Sequence, residues 1–220
     1  MPSSTVENYL KAILLRSEKA DAVVPMGALA EALGVVPGTV TTMVKAIMEQ
    51  GLLEHLPRQG VRLTESGRKV ALNVLRKHRL IETFLVTTLK MDWTEVHVEA
   101  EQLEHTLSNR VLERIDAFLD HPKTDPHGDP IPSAQGKLDT RVYDPLTAAA
   151  VQATLRIVRI SDQSAQFLQF AEQEGLMPGT ALKIMSRAES AGILTVRLKS
   201  GKTVVLGFEP AAKILVERTA

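Results

Sequence analysis

The chain has 220 residues, 44% hydrophobic and 24% charged, with 26 Lys and Arg against 26 Asp and Glu; that length accommodates two or three small domains, each with its own core. The absence of cysteine excludes disulfides, thiolate catalysis and thiolate metal ligation. No charged-then-apolar leader opens the chain and no apolar run approaches the roughly 18 residues of a membrane span, so a cytoplasmic protein with no membrane partner is expected.

The neutral total conceals an uneven spread. Residues 1–91 carry twelve basic and eight acidic side chains, 92–130 three and ten, and the remainder eleven and eight. The mild basic excess lies at the N-terminal end, where a nucleic-acid surface would want it. There, Val6, Tyr9, Leu10, Ile13 and Leu14 recur at helical spacing and predict a helix from about Val6 to Ser17, with Glu7, Asn8 and Lys11 on its polar face. Asp21 to Pro25 reads as a turn. Met26 to Leu33 forms a short apolar helix stopped by Gly34, and Pro37-Gly38-Thr39 opens another that runs to about Gln50. Proline suits a first helical turn because its missing N–H had no intrahelical partner there.

A short helix, a glycine turn and a second helix make a helix-turn-helix, although the pair alone is also compatible with a plain helical hairpin. The next dozen residues favour the first reading. Leu52 to Leu56 and Val61 to Thr64 read as brief strands around Pro57-Arg58-Gln59-Gly60, a basic hairpin tip. The sum is a winged DNA-binding domain. Thr39, Thr41, Thr42 and Lys45 are expected to face the major groove of double-stranded DNA, and Arg58 and Arg62 to meet phosphates.

Thr64-Glu65-Ser66-Gly67 opens a long helical pattern that ends near Met91-Asp92, and Asp92 or Thr94 is placed to cap the next helix, expected to reach about Ser108. A further helix turns Val111, Leu112, Ile115, Phe118 and Leu119 inward. These apolar faces exceed what one small winged domain covers, which predicts pairing across a homodimer. At about 100° per residue, His78 and Glu82 share one helical face, while His97, Glu101, Glu104 and His105 fall on one stripe of the following helix. Six groups able to coordinate a cation therefore share two neighbouring helices, which points to a metal sensor. The plain alternative is two amphipathic helices with ordinary solvated Glu and His.

Residues 121–133 hold four prolines and one glycine and read as loop. Asp120, His121, Asp125, His127 and Asp129 imitate a metal cluster there, but a proline-broken loop is not expected to converge its side chains. A looser linker runs to about Ala150. Beyond it, Leu155–Ile160, Ala181–Met185, Ile193–Leu198, Thr203–Leu206 and Ala212–Glu217 read as short strands, with a helix over Ser164–Glu174, together a small barrel.

Arg76-Lys77-His78-Arg79-Leu80 with Glu82, Val96-His97, Glu101-Gln-Leu-Glu104-His105, Gly128-Asp-Pro-Ile-Pro132 and Gly175-Leu-Met-Pro-Gly179 carry a resemblance over nearly the whole chain. It resembles the metal-dependent repressors named after the diphtheria toxin repressor, in particular the branch that regulates manganese uptake. The resemblance implies a mainly α fold with α+β parts: a winged helix-turn-helix domain at 1–74, a helical metal-binding and dimerisation domain at 75–132, a linker at 133–150 and a FeoA-like small β-barrel at 151–220. It implies repression of metal-uptake genes by a homodimer on an inverted-repeat operator. By that likeness His78, Glu82 and His97 belong to one metal site, and Glu101, Glu104 and His105 to a second or shared one. Two positions depart from the pattern. A first-helix ligand falls at Asn8, whose carbonyl oxygen still ligates, and a further glutamate of the manganese type falls at Lys11, a cation that cannot. The ligand that iron regulators draw from the barrel has Asp162, Gln163 or Gln166 in its region.

Where iron regulators carry cysteine this chain has Glu101, leaving only carboxylates and imidazoles. That set suits Mn²⁺, with Fe²⁺ as the alternative and Zn²⁺, Co²⁺ or Cd²⁺ as substitutes in vitro. A metallohydrolase is a competing reading, but His97 to Glu101 is not the H-E-x-x-H spacing and no nucleophile constellation accompanies it, so no enzyme is expected. A winged regulator whose His and Glu are structural is the third, distinguished by metal content.

Overall fold

Ser3 starts the first helix: its hydroxyl accepts the Val6 N–H at 3.4 Å, and α1 (Ser4–Arg16) follows. The structure, a computed structural model, describes residues 2–17 and 22–219; Asp21, the expected start of a turn, lies outside them. The described chain divides into two compact units, Met1–His78 with Glu101–Leu112 and Pro132–Leu138, and Arg79–Ala100 with Glu113–Ile131 and Asp139–Ala220.

In the first unit α2 (Met26–Leu33) and α3 (Pro37–Glu49) meet at a bend of 105°, within the range of helix-turn-helix pairs. Leu10 and Ile13 of α1 pack with Leu29 of α2 and Val40, Val44 and Ile47 of α3, and the hairpin closes the cluster through Leu53 and Val61. Each such fully buried Leu or Ile contributes about 1.5–3 kcal/mol relative to exposure. The hairpin pairs β1 (Leu53–Leu56) with β2 (Gly60–Leu63), Leu53 opposite Leu63 and Leu56 opposite Gly60. Val24, read from sequence as turn, bridges to Val61 beside them. Gly60 permits this approach: its φ is 139°, and a Cβ there would lie 2.1 Å from the Val24 carbonyl oxygen.

Two helices begin in one unit and end in the other, α4 (Glu65–Thr87) and α5 (Val96–Leu103). Asp92 accepts the Thr94 N–H at 2.8 Å ahead of α5, as a capping turn requires. The helix expected to reach Ser108 stops at Leu103, whose carbonyl accepts the N–H groups of both Thr106 and Leu107 in the turn that follows. Ser108 then starts α6 (Asn109–Phe118), accepting the Val111 N–H. This helix buries Leu112 but leaves Val111 and Phe118 largely exposed, at 46% and 68%, with the Phe118 ring edge-on to Phe84 at 6.2 Å.

The second unit carries a six-stranded antiparallel sheet in the order β3-β8-β4-β5-β6-β7. Its strands are β3 (Asp144–Pro145), β4 (Thr154–Ile160), β5 (Ala181–Ala188), β6 (Ile193–Leu198), β7 (Thr203–Gly207) and β8 (Ile214–Arg218). Alternation fixes the faces: in β7, Val204 and Leu206 are buried while Thr203 and Val205 face out. Helix α7 (Ala165–Glu174) lays Phe167, Leu168 and Ala171 on the core. Two features depart from expectation. A short helix α8 (Phe208–Ala212) delays the last strand to Ile214. The tail of the expected linker pairs with β8 through Asp144 and Pro145, and Leu146 behind it is completely buried. Among the described residues no single helix is long and apolar enough to cross a membrane.

Candidate metal centre

The proline-broken loop converges its side chains, contrary to the expectation from sequence. One Asp125 oxygen accepts the N–H groups of both His127 and Asp129 at 2.9 Å, so a single carboxylate winds the loop around itself. The His127 carbonyl accepts the Ile160 N–H of β4 at 2.9 Å. Gly128 makes that seat possible, since at φ 89° a Cβ would stand 2.0 Å from the Val158 carbonyl oxygen. Arg79 of α4 donates to the Pro130 carbonyl at 2.6 Å and lies 3.3 Å from Asp129, which Arg159 and Gln163 also engage. The result brings ligand atoms of Glu82, Asp125 and His127 within 4.8 Å of one another, all three residues buried.

The electrostatics of this cluster favour a cation. His127 Nε2 lies 3.0 Å from the Trp93 carbonyl oxygen; a carbonyl only accepts, so Nε2 carries a proton, and in the neutral ring Nδ1 is the nitrogen with the lone pair. That Nδ1 is buried with no hydrogen-bond partner, 3.9 Å from Glu82 and 4.0 Å from Asp125. The Trp93 ring stacks on the imidazole at 5.4 Å and fixes its plane. Burial pushes Asp125 well above the usual aspartate range, and the Asp129 and Glu82 carboxylates push it further, against the opposing pull of Arg79. Buried carboxylates gathered around an imidazole are costly alone, and they are ligand types that a hard divalent ion takes. His97 stands at the edge, Nδ1 3.3 Å from Glu82 and its side chain 52% exposed.

The remaining sequence-derived ligands are arranged differently, all but Asp162 in the first unit. Glu104 and His105 lie on the turn after α5 rather than on a helical stripe. Lys11 Nζ stands 2.6 Å from Glu101 and 2.6 Å from Glu104. His78 Nδ1 is 2.6 Å from the other Glu104 oxygen, and His105 Nδ1 is 2.6 Å from Glu7. An ammonium thus stands between Glu101 and Glu104 in this cluster. The Asn8 carbonyl oxygen is buried without a hydrogen-bond partner. Asp162 instead turns the chain ahead of α7, accepting the Ser164 N–H at 2.9 Å and lying 3.1 Å from Lys213.

Sequence reasoning sets aside Asp125 and His127, although their spacing of two residues around a proline is the available signal. On the DNA side, Thr39, Thr41, Thr42 and Lys45 are all exposed on α3. Arg58 stands exposed at the hairpin tip with φ 64°. Arg62 is held across the hairpin by Glu54 at 2.7 Å.

Family profiles for the iron-dependent repressor N-terminal DNA-binding domain, the iron-dependent repressor metal-binding and dimerisation domain, and the FeoA domain match residues 1–61, 64–133 and 145–218. The iron-dependent repressor IdeR of Mycobacterium tuberculosis is 40% identical over 129 residues, 58% of this chain and 55% of its own length, so that match spans about half of the relative. The diphtheria toxin repressor of Corynebacterium diphtheriae is 31% identical over 97% of this chain and 96% of its own. Among solved structures, a manganese-dependent transcriptional repressor in complex with manganese superposes with a TM-score of 0.85 at 41% identity, covering 97% of this chain and all of that one. The manganese regulator SloR superposes at 0.74 with 33% identity, covering 100% of both chains.

Proposed function

The chain belongs to the iron-dependent repressor family, whose members are metal-dependent DNA-binding transcriptional repressors, and we propose that it represses metal-uptake genes in response to Mn²⁺, with Fe²⁺ as the alternative. The observation that carries the choice of ion is the buried, unpartnered His127 Nδ1 facing the carboxylates of Glu82 and Asp125. Oxygen ligands with an imidazole and no sulfur are what Mn²⁺ and Fe²⁺ take. When bound, the ion would supply positive charge to this buried, carboxylate-rich cluster.

The chain's residues then divide the work. Glu82 and Asp125 bring charge, and His127 brings a neutral nitrogen whose tautomer the Trp93 carbonyl sets. Arg79 and Gly128 hold the loop that presents them. His97 is the reachable outer ligand of Glu82's side. We read residues 1–74 as the winged domain, 75–132 as the metal-binding and dimerisation segment and 151–220 as the FeoA-like domain. Thr39, Thr41, Thr42 and Lys45 read bases while Arg58 meets phosphate, in a cytoplasmic homodimer on an inverted repeat. The role is regulatory binding, not catalysis.

The test selects operator DNA from a random pool with the Mn²⁺-loaded protein, then titrates it by fluorescence anisotropy with Mn²⁺ and with excess chelator. Metal-dependent tightening is expected; equal affinity in both conditions rejects the sensor while leaving DNA binding intact.

A further inference from the structure

We infer that Lys11 is the resident cation of the acidic cluster formed by Glu101 and Glu104, so that a tethered ammonium closes this part of the first unit where a second metal ion would otherwise sit. The inference rests on the metal-sensor reading only for what happens at the other centre.

Lys11 lies on the inward face of α1 between Leu10, Ala12, Ile13 and Leu14, and is 7% exposed. A lysine is rarely so deep unless its charge is paired. Its Nζ meets one oxygen each of Glu101 and Glu104 at 2.6 Å, and Glu104 is completely buried. Around it, His78 takes the second Glu104 oxygen at 2.6 Å, while His105 spans Glu7 at 2.6 Å and Glu104 at 3.3 Å. Two carboxylates flanked by two imidazoles are, by type, divalent-cation ligands. Here the shared centre is Nζ, and a free cation approaching the same two oxygens meets a like charge.

Tethering changes the dependence on supply. A covalently linked cation has a fixed effective concentration, whereas a free ion stabilises by mass action. The junction between α1 and the turn after α5 therefore closes at any metal level, and the response to metal is left to Glu82, Asp125 and His127.

The full-length wild type, Lys11→Met, Lys11→Glu and Lys11→Arg are dialysed to equilibrium against saturating Mn²⁺, bound metal is counted per chain, and each is melted in chelator. Lys11→Arg keeps the wild-type count. Lys11→Met and Lys11→Glu take up one more ion per chain, melt lower in chelator and recover more on adding Mn²⁺ than the wild type does. Unchanged counts in both, or chelator melts equal to wild type, overturn the inference. Should Lys11→Met and Lys11→Glu fail to fold in either medium, Glu101→Gln decides: with Lys11 as resident cation its Mn²⁺ count stays at the wild-type value, and loss of an ion overturns the inference. A wild type that binds no Mn²⁺ rejects the functional reading instead, and the chelator melts still decide the role of Lys11.

Discussion

His127 shows how much a single hydrogen bond settles. Because the Trp93 carbonyl can only accept, Nε2 carries a proton and Nδ1 is the nitrogen turned toward Glu82 and Asp125. Replacing it with alanine should lower Mn²⁺ affinity by more than tenfold, as loss of a direct ligand exceeds the 10–100-fold typical of outer-shell partners; calorimetric titration of His127→Ala reads this directly. Asp125 adds a pH dependence. Its folded pKa is raised by burial and by the neighbouring carboxylates, from an ordinary value of 3.8, so the folded metal-free protein holds a proton that the unfolded chain has already released. Its contribution to stability is full below the unfolded value and is lost as pH rises through the folded one. Melts of the metal-free protein should therefore fall with rising pH in that window, and Asp125→Asn should flatten the trend. The sequence shows the residue types of this loop but not their convergence, which depends on Arg79, Trp93 and Arg159, distant in the chain from the loop they hold.

Elements are far more legible than sites. Helices α2 and α3 and the hairpin appear within a residue or two of their expected ends, since Gly34, Pro37 and Gly51 punctuate a strong apolar period. The misses share a cause: contacts that local pattern does not encode. Strand β3 is a single Asp-Pro step made a strand only by pairing with β8, and α5 ends early where its last carbonyl is captured by two N–H groups. The loop at 121–133 reads as structureless because proline count is a local signal, whereas Gly128 against β4 is not. Gly128→Ala puts a Cβ into the Val158 carbonyl at a left-handed φ. A cost of about 1–3 kcal/mol is expected from the backbone strain alone, with Mn²⁺ affinity falling as the loop is displaced. Thermal melts and metal titration on the same sample separate the two effects.

At the scale of the whole molecule the question is how an ion and an operator come to influence each other. Coupling between two ligands is reciprocal, and typical values of about 1–3 kcal/mol correspond to roughly 5- to 150-fold in affinity. Helix α4 is continuous from Glu65 to Thr87 and carries both His78 and Glu82. The exposed Val111 and Phe118 of α6 ask for a partner, and the dimerisation profile over residues 64–133 agrees with a second copy. A two-fold dimer reads two half-sites about one helical turn, or a multiple, apart. Phe118→Glu should then weaken self-association, measured by sedimentation, and lower affinity for the full inverted repeat much more than for a single half-site. Arg58→Ala should act otherwise, weakening all sequences alike and reducing the salt slope by about 1, while Thr42→Ala should shift base preference. An operator affinity in Phe118→Glu equal to wild type, with Mn²⁺ present and the dimer lost, would show that the apolar face of α6 plays no part in seating the protein on DNA.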